Sequence, residues 1–270
     1  ECAQLRCNSS HTRAVKSGKI TSGGSQRAAA LDMLRGIALI EMIVYHGLYD
    51  WVFVFGRTMP FMHSKQAYWW QQSICWLFIL LSGAVLNYGR RPIRRGIQVF
   101  LCGMLLTLVT LAVIPSEQIW FGVLHFLGYA AMLCGFLRPW PSKIPASAGA
   151  VGSFVLFSVF KQVPSGMIGI LDIPLVSLPA SWYSQSWLFP LGLPGYGFIS
   201  ADYFPLIPWL FLYLTGFYLW HVVMNGSLCE KIFAIPQCRP LAWLGRHSLW
   251  IYLLHQPALM AVTAALNYCL

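Results

Sequence analysis

Seven stretches of the chain are long enough and apolar enough to cross a lipid bilayer as helices. A helix needs about 20 mainly apolar residues to span the hydrocarbon core. The chain has 270 residues and is 57% hydrophobic but only 10% charged, which is unusual for a soluble domain. The apolar segments are residues 31–54, 72–88, 96–114, 119–137, 146–163, 204–224 and 241–266. We therefore predict an all-α, polytopic integral membrane helical bundle of about seven transmembrane helices.

Basic residues are distributed unevenly between the two sides that these segments define. If the N-terminus is cytoplasmic, all of the 18 Lys and Arg residues except Arg57, Lys65 and Lys161 fall on the cytoplasmic side. This is the positive-inside pattern of membrane proteins, and it explains the net charge of +10 without a nucleic-acid partner. An odd number of spans then predicts a multi-pass cell-membrane protein with an extracytoplasmic C-terminus.

Two regions differ sharply in composition. Residues 1–30 are polar and contain many Ser, Gly and Thr residues, whereas residues 31–270 contain all the apolar segments. We predict a disordered cytoplasmic arm at 1–30, with no cleavable signal peptide, followed by a transmembrane domain at 31–270. The 8 cysteines do not have the spacing of a zinc site or a disulfide framework. We predict no metal site and interpret the cysteines as reduced thiols.

The first apolar segment carries ionisable residues on one helical face. Arg35 and His46 are eleven residues apart, so they lie about three turns and about 16 Å apart along one face. Asp50 follows His46 by one turn. Ionisable groups in a spanning helix usually face the bundle interior, and a carboxylate at i+4 is typical of an oriented histidine base. We predict His46 as a catalytic base, assisted by Asp50 and Arg35; the alternative is a buried neutral histidine bonded to a neighbouring helix.

Further polar residues interrupt the later apolar segments. They are His125, Asp202 and Trp209 and, in the last segment, Arg246, Ser248, Tyr252 and His255. Ser248, Tyr252 and His255 share a stripe because they are four and three residues apart, and such a stripe must contact protein or water. Asp202 lies just before the sixth segment. It is suited as well to the N-terminal cap of that helix as to a binding role.

Two loops on the predicted outer side contain candidate binding residues. Residues 164–203 form the longest connection and are rich in proline and aromatic residues, which suggests either a binding lid or an aromatic belt at the membrane interface. His63 lies in the loop before the second segment. It either reaches the same outer vestibule as the other polar residues or is a solvated loop residue.

Several of these patterns together resemble a known enzyme family. Arg35-Gly36 with His46 is similar to the first-helix signature of the acyltransferase 3 superfamily of integral-membrane acyltransferases, and residues 244–257 resemble its last-helix motif. Within this group the chain most resembles the catalytic domain of heparan-alpha-glucosaminide N-acetyltransferase and its bacterial relatives. The supporting patterns are Arg35-Gly36, His46 with Asp50, Ser82-Gly83, Gly122 with His125, residues 202–209 and residues 244–257.

The resemblance implies transfer of an acyl group, in the simplest case acetyl, from cytosolic acetyl-CoA to an amine or hydroxyl of an extracytoplasmic sugar or glycan. It implies that inner arginines bind the CoA phosphates, above all Arg90, Arg91, Arg94 and Arg95. His125, Asp202, Trp209 and Arg246 would contribute to substrate binding, and Ser248, Tyr252 or His255 would donate to the developing oxyanion. The catalytic histidine of the lysosomal enzyme aligns near His63, so His63 is the alternative to His46.

Two functions outside catalysis are also compatible with the sequence. A transporter or permease would use the same intramembrane polar residues to line a solute or proton path. A membrane scaffold would tolerate their replacement. The sequence also leaves open a homodimer and the choice between direct transfer and an acetyl-enzyme intermediate.

Overall fold

The described part of the chain forms a bundle of α-helices with one small β-hairpin. The structure, a computed structural model, describes residues 29–89, 91–137, 143–226, 232 and 236–269. The helices are α1 (Ala29–Val54), α2 (Lys65–Val85), α3 (Pro92–Val113), α4 (Val123–Phe136), α5 (Ala146–Phe160), α6 (Leu206–Asn225), α7 (Arg239–Arg246) and α8 (Ser248–Cys269). The predicted all-α membrane bundle is confirmed. The predicted arm at 1–30 falls almost entirely outside the described residues.

The predicted spans match helices, with differences at their ends. α2 begins at Lys65, seven residues before the predicted segment, and the last predicted segment is divided at His247 into α7 and α8. Among the described residues, five helices are long and apolar enough to cross a membrane, namely α1, α3, α6, α8 and α5 when the turns that continue it to Ser165 are included. The other two predicted spans are α4, which has only 14 residues, and α2, which begins with polar residues.

The core lies between α2, α4, α5 and α6 and is largely aromatic. Phe126 of α4 and Phe157 of α5 are completely buried against Tyr213 and Trp209 of α6. Close approach of α2 to α6 depends on Gly83, because a Cβ atom there would overlap the Tyr213 carbonyl oxygen. Small residues at such crossings are typical of helix packing in membranes, where van der Waals contact replaces the hydrophobic driving force.

The helices α1 and α8 run parallel to each other. Gly245, just before α8, contacts the Asp32 carbonyl near the start of α1, and the Arg57 side chain after α1 donates to Asn267 near the end of α8, at 3.1 Å. The start of α1 and the end of α8 therefore lie at opposite ends of the bundle. An odd number of membrane crossings, as predicted from the sequence, would also place them at opposite ends.

The two ends of the bundle differ in composition. The end that contains the starts of α1, α3 and α8 carries most of the described basic residues, namely Arg35, Arg91, Arg94, Arg95, Lys143, Arg239 and Arg246. We call it the basic end. The opposite end, which we call the hairpin end, carries the antiparallel pair β1 (Met167–Ile170) and β2 (Ile173–Ser177).

The long loop between α5 and α6, predicted as a binding lid or an aromatic belt, contains regular structure. After the hairpin it forms two short 3-10 segments, Ala180–Tyr183 and Ser186–Leu191. Its last residues pair with the α3–α4 connection, because Ala201 N–H donates to Gln118 at 3.0 Å and Phe204 N–H donates to Phe121 at 2.9 Å. The loop thus covers the hairpin end of the bundle.

Candidate functional site

Two histidines from distant parts of the sequence meet between α1 and α8. The rings of His46 and His255 contact edge to face, with their centroids 5.1 Å apart. Tyr45 flanks His46 in a similar edge-to-face contact, with centroids 6.0 Å apart. Both histidines are only partly exposed, within helices that are otherwise apolar. The sequence selected each residue separately but gave no indication that they are neighbours.

The hydrogen bonding of His255 fixes its tautomer. Its Nδ1 lies 2.6 Å from the carbonyl oxygen of Tyr252, one turn earlier in α8. A carbonyl oxygen only accepts, so Nδ1 carries the proton and Nε2 keeps its lone pair. Nε2 is buried and has no partner among the described residues. His255 therefore presents a free acceptor nitrogen, which is what a proton-accepting base requires.

Asp50 is completely buried and is held by α8 rather than by His46. Its Oδ1 accepts a hydrogen bond of 2.8 Å from Gln256 Nε2. Asp50 begins a π-helical turn, Asp50–Val54, which follows the α-helical turn that joins it to His46. The predicted contact in which Asp50 orients His46 is therefore wrong for this structure, because Oδ1 accepts from Gln256 and Oδ2 has no partner among the described residues.

Three buried acceptor atoms lie in this contact between α1 and α8 without a partner in the described part of the chain. They are Asp50 Oδ2, Gln256 Oε1 and His255 Nε2. Buried polar atoms are nearly always paired, so each one requires an explanation such as a substrate, a catalytic role or an ordered water. Because all three atoms accept, the group that satisfies them must supply hydrogen-bond donors, as an amine or a hydroxyl does.

Tyr252 connects this contact to the core. It packs with buried residues of both α1 and α6, and it lies within electrostatic range of Cys75 and Asp202. Ser248 is partly buried one turn before it, at the start of α8. The predicted stripe of Ser248, Tyr252 and His255 therefore faces the bundle, as intramembrane polar residues do.

A second group of charged residues lies at the basic end. Arg35 is 3.9 Å from Asp32 and within Coulombic range of Arg95 on α3, and Asp32 is within Coulombic range of Arg246. The crossing of α1 and α7 brings these charges together, and it requires Gly36, because a Cβ atom there would overlap the Leu241 carbonyl oxygen. Arg35 and Arg246 thus lie near the single carboxylate of Asp32, with Arg95 near Arg35, which leaves an excess of positive charge for an anionic ligand.

An open groove of about 680 Å³ lies beside this group, between α3 and α4. Arg91 and Arg94 line it together with Ile93 and Ile97. The predicted phosphate-binding arginines therefore divide between the groove and the Arg35 group, where Arg95 lies. Arg90 lies outside the described residues. Arg94 and Arg95 belong to the first turn of α3, which begins earlier than the sequence predicted.

Asp202 caps a helix, but not the one expected from the sequence. Its Oδ2 accepts a hydrogen bond of 2.9 Å from Val123 N–H, the first residue of α4, so the prediction that it caps the following helix is corrected. Gly122 leaves room for the carboxylate, since a Cβ atom there would overlap Oδ2. Burial raises the pKa of Asp202 to about 6, against the opposing effect of the Val123 hydrogen bond.

Two of the predicted binding residues occupy packing positions. His125 is buried between Phe100 and Phe121, with Nε2 3.4 Å from Thr107 Oγ1. Trp209 stacks in the aromatic core against Phe157. These positions favour a structural role for both residues, although the unpartnered Nδ1 of His125 remains a polar atom without an assigned function.

His63, the alternative catalytic candidate, lies apart from the paired histidines. It ends a short 3-10 turn after α1, is exposed, and contacts the ring of Phe53 at a centroid distance of 5.1 Å. Phe53 is seven residues beyond His46, or about 10 Å along the axis. His63 is therefore accessible from the hairpin end, whereas His46 is accessible only within the bundle.

Sequence reasoning missed Gln256, although it lies next to His255. An amide in the middle of an apolar span is costly and therefore a detectable signal, since it must find a partner inside the bundle. Sequence reasoning also treated the glycines of Arg35-Gly36 and Gly245-Arg246 as parts of motifs without a role. The structure assigns both to the crossing that brings Arg35 and Arg246 together.

Comparison with known proteins gives one match. No curated protein and no solved structure matches the chain at a significant level. The family described as heparan-alpha-glucosaminide N-acetyltransferase, catalytic, matches residues 27–257. That range contains α1 to α7, the group of charged residues at the basic end and the paired histidines. Because the match covers most of the chain, the protein belongs to the heparan-alpha-glucosaminide N-acetyltransferase catalytic family.

Proposed function

We propose that this multi-pass membrane protein transfers an acetyl group from cytosolic acetyl-CoA to an amine or hydroxyl of an extracytoplasmic sugar or glycan. Family membership supports a membrane acetyltransferase in general. The observation that carries the finer proposal is the contact between His46 and His255, where buried acceptor atoms remain unpartnered. A donor-bearing nucleophile would satisfy these atoms and would be deprotonated there.

The donor would bind at the basic end. Arg91 and Arg94 in the groove would hold the phosphates of acetyl-CoA, and Arg95 with Arg35 would continue the positive charge towards the bundle. Arginine is suited to this because its guanidinium binds phosphate oxygens in pairs. The thioester arm would then extend along α1 from Arg35 to His46, over about 16 Å.

At the histidine pair, the acceptor nitrogen or oxygen would attack the thioester carbonyl carbon. Its proton would pass to an imidazole nitrogen of the pair, and the C–S bond would break to release CoA as a thiolate, which is then protonated. The alternative is that His46 first takes the acetyl group and then passes it to the acceptor. Tyr252 or Ser248 would donate a hydrogen bond to the oxyanion in either route.

A direct transfer assay tests this proposal. The full chain, reconstituted in nanodiscs, would be incubated with radiolabelled acetyl-CoA and a panel of amino sugars and their hydroxyl analogues. Label on an acceptor, lost when both His46 and His255 are replaced by Ala, supports the proposal. Acetyl-CoA consumption that is unchanged by these replacements contradicts it, and solute flux across liposomes without covalent change favours a transporter.

A further inference from the structure

The hairpin of the long loop presents large apolar side chains to its surroundings. Ile170, Ile173, Leu175 and Val176 are between 55% and 64% exposed. β2 is exposed along its whole length, so both of its faces are uncovered. A contiguous apolar surface of this kind marks a contact site for a partner or for lipid.

The hairpin is held firmly at one end of α5. Leu171 in its turn donates its N–H to the Ser158 carbonyl at 2.8 Å, and Gln162 Nε2 donates to the Leu171 carbonyl at 3.0 Å. Asp172 accepts from Lys161 Nζ at 2.6 Å. These bonds fix the height of the hairpin relative to α5. Its exposed apolar surface is therefore built into the structure and does not arise from a loosely attached loop.

The apolar surface of the hairpin continues the lipid-facing surface of α5. Val151 and Val155 of α5 are also largely exposed, as expected for a spanning helix with lipid on one side. Between them and the hairpin lies Lys161, whose ammonium group is 5.4 Å from the ring centroid of Trp69 and 5.5 Å from that of Trp76. A lysine among tryptophans at a helix end is typical of the membrane–water boundary.

We propose that the hairpin lies in the boundary between headgroups and acyl chains of the bilayer, with Ile173, Leu175 and Val176 in contact with lipid. The outer edge of β2 has no strand partner among the residues that the structure describes. Unpaired backbone groups are excluded from the hydrocarbon core, so the strand lies at the boundary, where water and headgroups reach its backbone. Pro174 lowers the cost of leaving the backbone of this strand unpaired, because it has no N–H to satisfy.

Lipid contact would hold the loop that covers the bundle at a fixed depth in the membrane. The exposed Trp182 and Trp187 of the same loop would then belong to the aromatic belt at this end. A free β-strand edge also fits a second copy of the chain, which would pair β2 with β2. The bilayer is favoured because the apolar surface continues directly from α5.

Photo-crosslinking distinguishes these occupants. Leu175→benzoylphenylalanine and, on the opposite face of β2, Val176→benzoylphenylalanine would be made in the full chain in nanodiscs of phosphatidylcholine and phosphatidylglycerol. The same probe at Val155 is the lipid-facing control, and at exposed Lys143 the aqueous control. After irradiation, intact-mass analysis should find phospholipid adducts at Leu175 and Val176 with yields comparable to Val155 and well above Lys143.

Two results would overturn the proposal. A crosslinked dimer in place of lipid adducts would assign the hairpin to an interface between two copies of the chain. Yields at Leu175 and Val176 as low as at Lys143, with normal adducts at Val155, would show that the hairpin lies in water. Because β2 is exposed, the probe replaces side chains without disturbing the core, and a thermal unfolding curve like that of the unmodified protein confirms folding.

Discussion

At the residue scale, the two histidines of the α1–α8 contact differ in what holds them. His255 has a defined tautomer because the Tyr252 carbonyl accepts from Nδ1. His46 is placed by ring contacts with Tyr45 and His255, which restrict its position but not its protonation. The pair therefore combines one imidazole whose free nitrogen must accept with another whose protonation its contacts leave undetermined.

Replacement of the histidines tests this arrangement. His46→Ala and His255→Ala should each reduce acetyl transfer by about 10²–10⁴-fold, the usual effect of losing a general base, while acetyl-CoA binding is retained. His63→Ala is the matched control, because His63 is exposed, lies after α1 and contacts Phe53, which is about 10 Å from His46 along α1. Acetyl transfer would be measured with radiolabelled acetyl-CoA. A dead His63→Ala with active His46→Ala and His255→Ala would make the loop histidine catalytic.

Gln256 supports a buried carboxylate, and its loss should affect stability. Gln256→Ala removes the hydrogen bond from Nε2 to Asp50 and leaves a fully buried carboxyl group without a partner. An unsatisfied buried group costs about 1–3 kcal/mol, so the variant should unfold at a lower temperature in detergent. Gln256→Glu with Asp50→Asn reverses the two functional groups and should recover stability. Failure of the double variant to recover would mean that the bond is not the important feature.

At the element scale, close helix crossings decide which charges meet. Gly36 and Gly245 let α1 and α7 approach until backbone contacts backbone, and this brings Arg35 and Arg246 to the same carboxylate, Asp32. A single added methyl group at either glycine would force the helices apart. The basic group is therefore a product of helix packing and not of any local sequence.

The arginines at the start of α3 should contribute to donor binding. Arg91→Gln with Arg94→Gln removes both cations from the groove and should weaken acetyl-CoA binding roughly tenfold, or about 1.4 kcal/mol. Since these side chains are exposed, the difference between variant and wild type should shrink at high salt. Calorimetry in nanodiscs measures the affinity, with Lys143→Gln as a control of equal exposure. Unchanged affinity for acetyl-CoA, with lost stabilisation by anionic lipid, would assign the groove to phospholipid.

Burial of Asp202, which caps α4, should make the free energy of unfolding depend on pH. Its pKa is raised to about 6 in the folded protein, above its ordinary value of 3.8. Between these two pH values the folded state therefore retains a proton that the unfolded state releases. The resulting stabilisation is fully present below about pH 4 and is lost as pH rises through about 6. Asp202→Asn keeps an oxygen acceptor for Val123 but does not titrate.

Thermal unfolding of both proteins at about pH 5 and about pH 7.5 measures this effect. Relative to Asp202→Asn, the wild type should be less stable at the higher pH. Glu117→Gln, a substitution at an exposed carboxylate of the neighbouring connection, should leave the pH dependence of the wild type unchanged. If wild type and Asp202→Asn keep a constant difference in unfolding temperature, Asp202 does not titrate in this interval.

At the scale of the whole molecule, the bundle has two chemically distinct ends. One end carries most of the described arginines, and the other carries the hairpin and the aromatic loop. The exposed faces of α3 and α5 between them are apolar and suited to lipid. Parallel packing of α1 and α8 places the start of the described chain and its end at opposite faces of such a membrane protein.

The orientation of the protein follows from this polarity. We expect the basic end in the cytoplasm and the hairpin end outside, as the positive-inside rule requires. In a variant without accessible native cysteines, Lys143→Cys should react with a membrane-impermeant maleimide only after cells are opened. Asn267→Cys and Thr58→Cys should react in intact cells. Labelling of Lys143→Cys and Asn267→Cys from the same side would contradict the arrangement of α1 and α8.

Much of this molecule could be predicted from its sequence because the bilayer imposes a simple rule. Apolar length alone identified the helices, since every backbone group in the membrane must be bonded within its own helix. The distribution of basic residues indicated the two ends, and the motif around Arg35 and His46 indicated the family. These features depend only on local composition and spacing, which a sequence states directly.

Tertiary structure decided the contacts between distant segments. Gln256 of α8 became the hydrogen-bond partner of Asp50 in place of His46, and the return of the long loop made Asp202 the cap of α4. His255 became a partner of His46 because α8 packs parallel to α1. Such pairings depend on helix crossings, where a glycine or one shifted turn moves a side chain to another neighbour, and local sequence does not determine that geometry.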